Sequence, residues 1–404
     1  MPRQTPRVGV PTFGPSNLPD AVRAAGGEPV TPRLPGARPT GVALAREWAA
    51  DATQVSCSGS DLDALLLAAE SPQKLFGMLL AAVRLDLPTV CLPPPNTPLA
   101  AAMTAMGLAP NAGDGTEVAV DLGAAGGPRP GELLENFALA NGLRAGVAAG
   151  GGPEVLVHLA AVAREAGVAG FPQMIRVLAP ETPATDPSWT RENGVRALLA
   201  SLGDGLHDVP TVAGALKRDL PPAAGAPEDH RLVFVRARAS GAEAVCVVPA
   251  GVPEAAGECR VFGSEDEASG AVGSGKVPDG SVLVVNGCGP RGGGGLLRLD
   301  ALVEALLEGC ARPTVLTDGV APEAAPGVWA SLFAPEAAAG GIMGRLRDGD
   351  VLRLDLENGR IRTDVRAEGL RGRKPFVPAA RAEPGYAARY ARSALPALEG
   401  AGFI

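Results

Sequence analysis

Apolar positions along this chain fall into two textures. Up to about residue 222 they recur at helical spacing, as in Leu75, Phe76, Met78, Leu79, Leu80 and Val83, broken by short apolar runs at 7–10, 63–67 and 89–92 that read as strands. The segment 63–92, strand then helix then strand, predicts a βαβ crossover and therefore a parallel sheet. A strand, loop and helix are likewise expected over 7–25, and residues 98–180 read as helical around a loop at 110–130. Beyond a Pro- and Ala-rich stretch at 218–229, taken as a linker, the texture changes. Short Val-containing runs at 232–237, 244–248, 259–262, 282–285, 314–316, 351–356 and 360–365 predict a strand-dense, barrel-like unit. An apolar helix carrying Leu296, Leu297, Leu299, Leu302, Leu306 and Leu307 is expected directly after the Gly-rich loop 286–295. The fold class is therefore α/β: a three-layer α/β/α unit with a parallel sheet at 1–222, and a β-rich, barrel-like unit with a terminal helix at 223–404.

Length supports two units, since 404 residues exceed the usual size of one hydrophobic core. A formal net charge of −8 argues against nucleic acid or an anionic membrane as partner. The N-terminus lacks the apolar core of a signal peptide, and no run reaches the roughly 20 apolar residues of a membrane span, so a cytoplasmic protein is expected. Cys57, Cys91, Cys246, Cys259, Cys288 and Cys310 show no metal-ligand spacing and read as free thiols of a reducing compartment. Arginines far outnumber the lysines Lys74, Lys217, Lys276 and Lys374, and with abundant Ala, Gly and Pro this suggests a GC-rich bacterial source.

Candidate chemistry is sparse. Glu154 follows Gly150-Gly151-Gly152-Pro153 and opens a helix, where the dipole favours a negative charge; it is either an acidic helix start or a pocket-facing acid or base. His158, one turn on between Val157 and Leu159, is either a satisfied, partly buried imidazole or a catalytic one. Cys288 lies in the Gly-rich loop beside Arg291, where free N–H groups and a guanidinium could lower its thiol pKa.

Several stretches together resemble the dihydroxy-acid and sugar-acid dehydratase family. Gly289-Pro290, Thr317-Asp318-Gly319, Pro335-Glu336-Ala337 and Asp348-Gly349-Asp350 resemble its C-terminal domain, as Gly77 to Thr89 and Val155 to Val168 resemble its N-terminal one. The resemblance implies an iron–sulfur cluster and a Mg²⁺ acting with a catalytic serine. Its motifs map those groups onto residues that cannot serve. Ser16 and Ser71 stand where cluster cysteines are expected, Leu92-Pro93-Pro94-Pro95 replaces the third cysteine's loop, Cys288 replaces a Mg²⁺ acid, and Pro322 replaces the serine. Hence no metal and no cofactor are expected.

Two readings follow. One is a metal- and cluster-independent lyase or isomerase of specialised bacterial metabolism, acting on a small polar carboxylate. Its catalytic candidates are Glu154, His158, Cys288 and Asp318; its substrate-binding candidates are Ser16, Ser71, Asn141, Gly151, Gly152, Arg291 and Thr317. The other is a non-catalytic homologue serving as a binding or scaffold subunit. The resemblance implies a homodimer in either case.

Overall fold

The structure is a computed structural model. It describes residues 5–36, 39–110, 113–218, 220–223, 225–226, 228–238, 240–292, 294–309, 313–323, 325–376 and 385–403. Cys310 lies outside the described residues, as do parts of the expected linker.

The N-terminal unit contains β1 (Arg7–Gly9), α1 (Leu18–Ala24), β2 (Glu28–Val30), α2 (Val42–Ser58), β3 (Ala64–Ala68), α3 (Pro72–Leu85) and β4 (Thr89–Leu92). Their order in the sheet is β2-β1-β3-β4, all parallel, with Val8 opposite Ala64 and Leu66 opposite Val90. The chain steps one way from β1 to β2 and the other way from β2 to β3. Right-handed crossovers therefore place α1 on one face and α2 and α3 on the other. The helices that follow are α4 (Pro98–Ala105), α5 (Gly115–Ala125), α6 (Pro130–Leu133), α7 (Asn136–Ala148), α8 (Pro153–Glu165), α9 (Phe171–Glu181), α10 (Pro187–Asn193) and α11 (Val195–Leu202). Helix α5 joins α1 against β1, β3 and β4, which completes three layers. It occupies much of the segment expected to be a loop. Asp114 starts it by accepting from the Thr116 N–H at 2.7 Å, and Ala119, Val120 and Leu122 give it a buried face.

A two-residue hairpin, β5 (Pro210–Thr211) and β6 (Gly214–Ala215), precedes the barrel. The barrel strands are β7 (His230–Ala237), β8 (Ala242–Pro249), β9 (Glu254–Phe262), β10 (Val282–Val285), β11 (Thr314–Thr317), β12 (Val328–Ala334), β13 (Val351–Asp355) and β14 (Arg360–Thr363). They close in the order β10-β11-β12-β8-β7-β14-β13-β9, a circuit that leaves no free edge. Strand β12 went unrecognised in the sequence, although its seven residues are nearly all buried, because both its faces are covered and no alternation marks it. Two helices flank the barrel, α12 (Glu265–Gly273) and α13 (Asp300–Glu308). The expected apolar helix thus begins at Asp300. Leu296 and Leu299 are buried ahead of it in non-helical backbone, Leu296 left-handed at φ 69° and Leu299 at φ −90°, ψ 60°.

Two short helices end the chain, α14 (Ala367–Gly372) and α15 (Tyr386–Ser393). The last segment reaches back to the N-terminal unit. Tyr390, Ala394, Leu398 and Ala401 bury into the same cluster as α2, α3 and α8, a cluster that Leu232 of β7, Val245 of β8 and Leu332 of β12 also join. The two units also meet backbone to backbone. The first N–H groups of α2, which have no partner within a helix, are taken by carbonyls of the Gly-rich loop: Val42 donates to Leu296 at 2.8 Å and Ala43 to Gly295 at 2.9 Å. Among the described residues no helix is long and apolar enough to cross a membrane.

Candidate functional site

In a parallel sheet every strand points its carboxyl end to the same edge, and the loops there are the natural place for a ligand. Three such loops converge here. After β1, the ring of Phe13 lies 5.5 Å from that of Trp48 and 4.8 Å beneath the Lys74 ammonium. After β3, Ser71 caps α3 by accepting from the Lys74 N–H at 3.2 Å, so the first turn of α3 presents Gln73. After β4, Asn96 accepts from the Val195 N–H at 3.3 Å and donates to the Arg191 carbonyl at 3.4 Å, tying α10 to this edge.

The glycine turn before α8 adds a fourth piece. A side chain on Gly151 would stand 2.4 Å from the Gly146 carbonyl, so only glycine permits the tight entry that sets Glu154 in the first helical turn. Residues 318–323, which follow β11, close over this turn: a Cβ on Gly152 would lie 3.9 Å from the Ala321 carbonyl. Arg298 arrives from the barrel side.

These loops assemble a charged cluster around Glu154, whose side chain is 14% exposed. One oxygen, Oε1, accepts from Gln73 Nε2 at 2.6 Å and lies 3.3 Å from His158 Nε2; the other, Oε2, is 3.3 Å from Arg298 Nη1. Burial works to raise the Glu154 carboxyl, but His158 and Arg298 outweigh it and hold the group below its ordinary value. Glu323 behaves in the opposite way. It is exposed, yet the surrounding protein and the charge of Glu154 push its carboxyl up, against Arg298 and Arg191. The two carboxyls are thus shifted in opposite directions, Glu154 towards its ionised form and Glu323 towards its protonated one, the kind of separation that acid–base chemistry uses.

The remaining candidates separate from this cluster. His158 is only 1% exposed, stacked on Phe76 with ring centroids 4.7 Å apart, with Nε2 turned to Glu154. Cys288 needs correction as a catalytic candidate. It is fully buried in the apolar cluster of Leu283, Val285, Leu299 and Leu302, because the Gly-rich loop turns its side chain inward under Gly319. Asp318 lies apart from the cluster: its carboxylate accepts N–H groups from Gly287, Cys288 and Ala337 at 3.3, 2.8 and 3.0 Å and so ties three loops together. Thr317 donates to the Val285 carbonyl at 3.0 Å and accepts from the Gly319 N–H. Asn141 is buried, paired with both backbone groups of His207 at 2.8 Å. Arg291 donates its Nε to the Ala394 carbonyl and lines a separate cavity of about 290 Å³ with Asp318 and Glu336. Ser16 is exposed on the β1 loop. Glu154, with Gly151 and Gly152 behind it, and Ser71 through its cap stay with the cluster. Gln73, Arg191, Arg298 and Glu323 join it without having been singled out. Glu323 lay within the stretch matched to a catalytic serine loop, and Arg298 had no motif at all.

The donors do not fit an iron–sulfur cluster. Ser71 spends its hydroxyl on a helix cap, and the cysteines Cys57, Cys91, Cys246, Cys259 and Cys288 are buried. Burial pushes the Cys57 thiol up to about 11 and those of Cys91 and Cys259 up to about 12, whereas a cluster needs thiolates. Among the described residues no three His, Cys, Asp or Glu side chains gather as they would around a metal ion.

Residues 237–401 match the family model for the dihydroxy-acid/6-phosphogluconate dehydratase C-terminal domain. A dihydroxy-acid dehydratase of Citrifermentans bemidjiense is 31% identical over 302 residues, 67% of this chain and 55% of the relative. Those of Geobacter sp. (strain M21) and Methanoregula boonei are each 30% identical, over 67% and 65% of this chain and 55% and 53% of the relative. The chain therefore spans about half the length of the curated relatives it matches.

Proposed function

Because this chain belongs to the dihydroxy-acid dehydratase family, we propose that it is a repurposed lyase or isomerase in which Glu154 and Glu323, without a cluster or metal ion, act on a small carboxylate-bearing substrate. The observation that carries this reading is the bracing of Glu154 by Gln73, His158 and Arg298 where the sheet's carboxyl edge meets the barrel, beside Glu323, a second carboxyl that its surroundings shift in the opposite direction. Arg298 and Arg191 supply the positive charge that receives a substrate carboxylate. Glu154 then takes the proton from the carbon next to that carboxylate. The electron pair forms the new double bond as the neighbouring hydroxyl departs, and Glu323 protonates it to water. The same pair moves a proton between adjacent carbons when no hydroxyl leaves. Cytoplasmic location and a homodimeric state belong to this proposal, and sedimentation velocity checks the second.

The test is solvent exchange. Candidate 2,3-dihydroxy and 2-hydroxy acids are incubated with the protein in D₂O and followed by proton NMR. Deuterium should enter at C3 of the 2-keto acid that forms when the enol from a 2,3-dihydroxy acid ketonises, and next to the carboxylate of a 2-hydroxy acid, which has no neighbouring hydroxyl to lose; Glu154→Gln should slow its entry by about 10²- to 10⁴-fold. Binding of these acids with no exchange by the wild type would sink the catalytic reading. It would favour a second one, a non-catalytic binding subunit, which draws support from the structural use of Asn141, Thr317 and Asp318 and the burial of Cys288.

A further inference from the structure

The buried surroundings of His158 show how Glu154 is held. Arg46, on α2, is fully buried. Its guanidinium donates to Glu47 Oε1 from Nε and Nη2 at 3.1 and 2.8 Å, to the Gly400 carbonyl at 2.5 Å, and to the Val157 carbonyl from Nη1 at 3.4 Å. The same Nη1 lies 3.4 Å from His158 Nδ1. Glu47 in turn faces Arg84 of α3 at 4.0 Å. A guanidinium carries only donors and does not lose its proton in proteins. The nitrogen it faces must then be the acceptor, which leaves the imidazole proton on Nε2, the atom 3.3 Å from Glu154 Oε1.

We infer that Arg46 is a positioning residue that fixes the Nε2–H tautomer of His158 and so directs a neutral N–H at Glu154. This deepens the proposed role of Glu154 and rests on it for any effect on activity, but the tautomer itself stands on the geometry. A neutral donor on Oε1 leaves the negative charge on Glu154, with Oε2 free to face Arg298 and the junction. With the opposite tautomer, Nδ1–H would point at a guanidinium and bare Nε2 at a carboxylate, both repulsive. The charged groups facing His158 are Arg46 and Glu47 from α2 and Glu154 from its own helix; from α3 it meets the ring of Phe76, and Gln73 meets only the far side of Glu154.

The test is the ring-nitrogen NMR spectrum of protein labelled with ¹⁵N-histidine, with His158 assigned by His158→Gln. The wild type should show a protonated Nε2 and a bare Nδ1 throughout pH 6 to 8. In the double variant Arg46→Met/Glu47→Leu, which removes the donor and its counter-charge together, that single tautomer should give way to a mixture or to an imidazolium. Arg46→Lys should retain it in part. In the exchange assay the double variant should lower the turnover rate by tenfold or more while substrate affinity changes less than threefold. A wild-type Nδ1–H tautomer or a wild-type imidazolium overturns the inference, as does a double variant with an unchanged spectrum. If the double variant does not fold, the wild-type spectrum still decides. Should no acid undergo exchange, the spectrum stands and only the catalytic reading falls.

Discussion

Glu336 offers the sharpest quantitative consequence of this structure. It is 7% exposed, between the Gly-rich loop and the start of the short turn after β12, and it accepts from the Arg291 N–H at 3.0 Å and the Gly292 N–H at 3.1 Å. Burial, and then the neighbouring Asp318, push its carboxyl from 4.5 up to about 7, and the two N–H bonds only partly oppose this. Each tenfold loss of acidity is worth about 1.36 kcal/mol, so ionising Glu336 costs roughly 3 kcal/mol more in the fold than in the unfolded chain. The sign follows from linkage. The protonated form is the one the fold favours, so this stability is fully present below about pH 4.5 and is lost as pH rises through about 7. Glu336→Gln keeps an oxygen to accept both N–H groups and has no proton to lose. Urea unfolding at pH 5, 6, 7 and 8 should therefore show the variant close to wild type at pH 5 and up to about 3 kcal/mol more stable at pH 8. A variant destabilised equally at every pH, or one as pH-dependent as wild type, would refute this account of the buried carboxyl pair.

Other consequences concern the junction and the thiols. Arg298 helps hold Glu154 ionised, so Arg298→Met should raise the Glu154 carboxyl and move the acidic limb of the exchange-rate profile to higher pH; an unshifted limb would remove Arg298 from the site. Cys288→Ser should leave the exchange rate within about twofold while costing about 1–3 kcal/mol in urea, since it places a hydroxyl in an apolar cluster. A large rate loss at unchanged stability would restore Cys288 to the chemistry. Gly41→Ala would set a Cβ 2.4 Å from the Gly295 backbone, so the contact between α2 and the Gly-rich loop must give way, at a cost of about 1–3 kcal/mol by chemical denaturation.

Periodicity alone was enough for the two architectures. A βαβ unit with buried apolar strands pairs them in parallel, and a succession of short Val-rich strands protects its edges well by closing on itself. Local rules likewise gave the glycine turn before α8 and an acidic residue opening that helix, since each depends on neighbours a few positions away, whereas the helix cap made by Ser71 emerged only from the structure. What lay beyond that reach was every contact between distant segments. Cys288 and Asp318 look reactive in a Gly-rich sequence, but which way such a loop faces depends on the strands beneath it; these turn the thiol inward and give the carboxylate three backbone N–H groups. Arg298 carries no motif, and it, Arg46 and Glu323 become informative only when packing brings them to residues more than 100 positions away in sequence. The C-terminal segment follows the barrel in sequence but packs into the N-terminal core, in a cluster that barrel residues Leu232, Val245 and Leu332 also join, because apolar side chains bury wherever close packing admits them, and no local pattern records where that is.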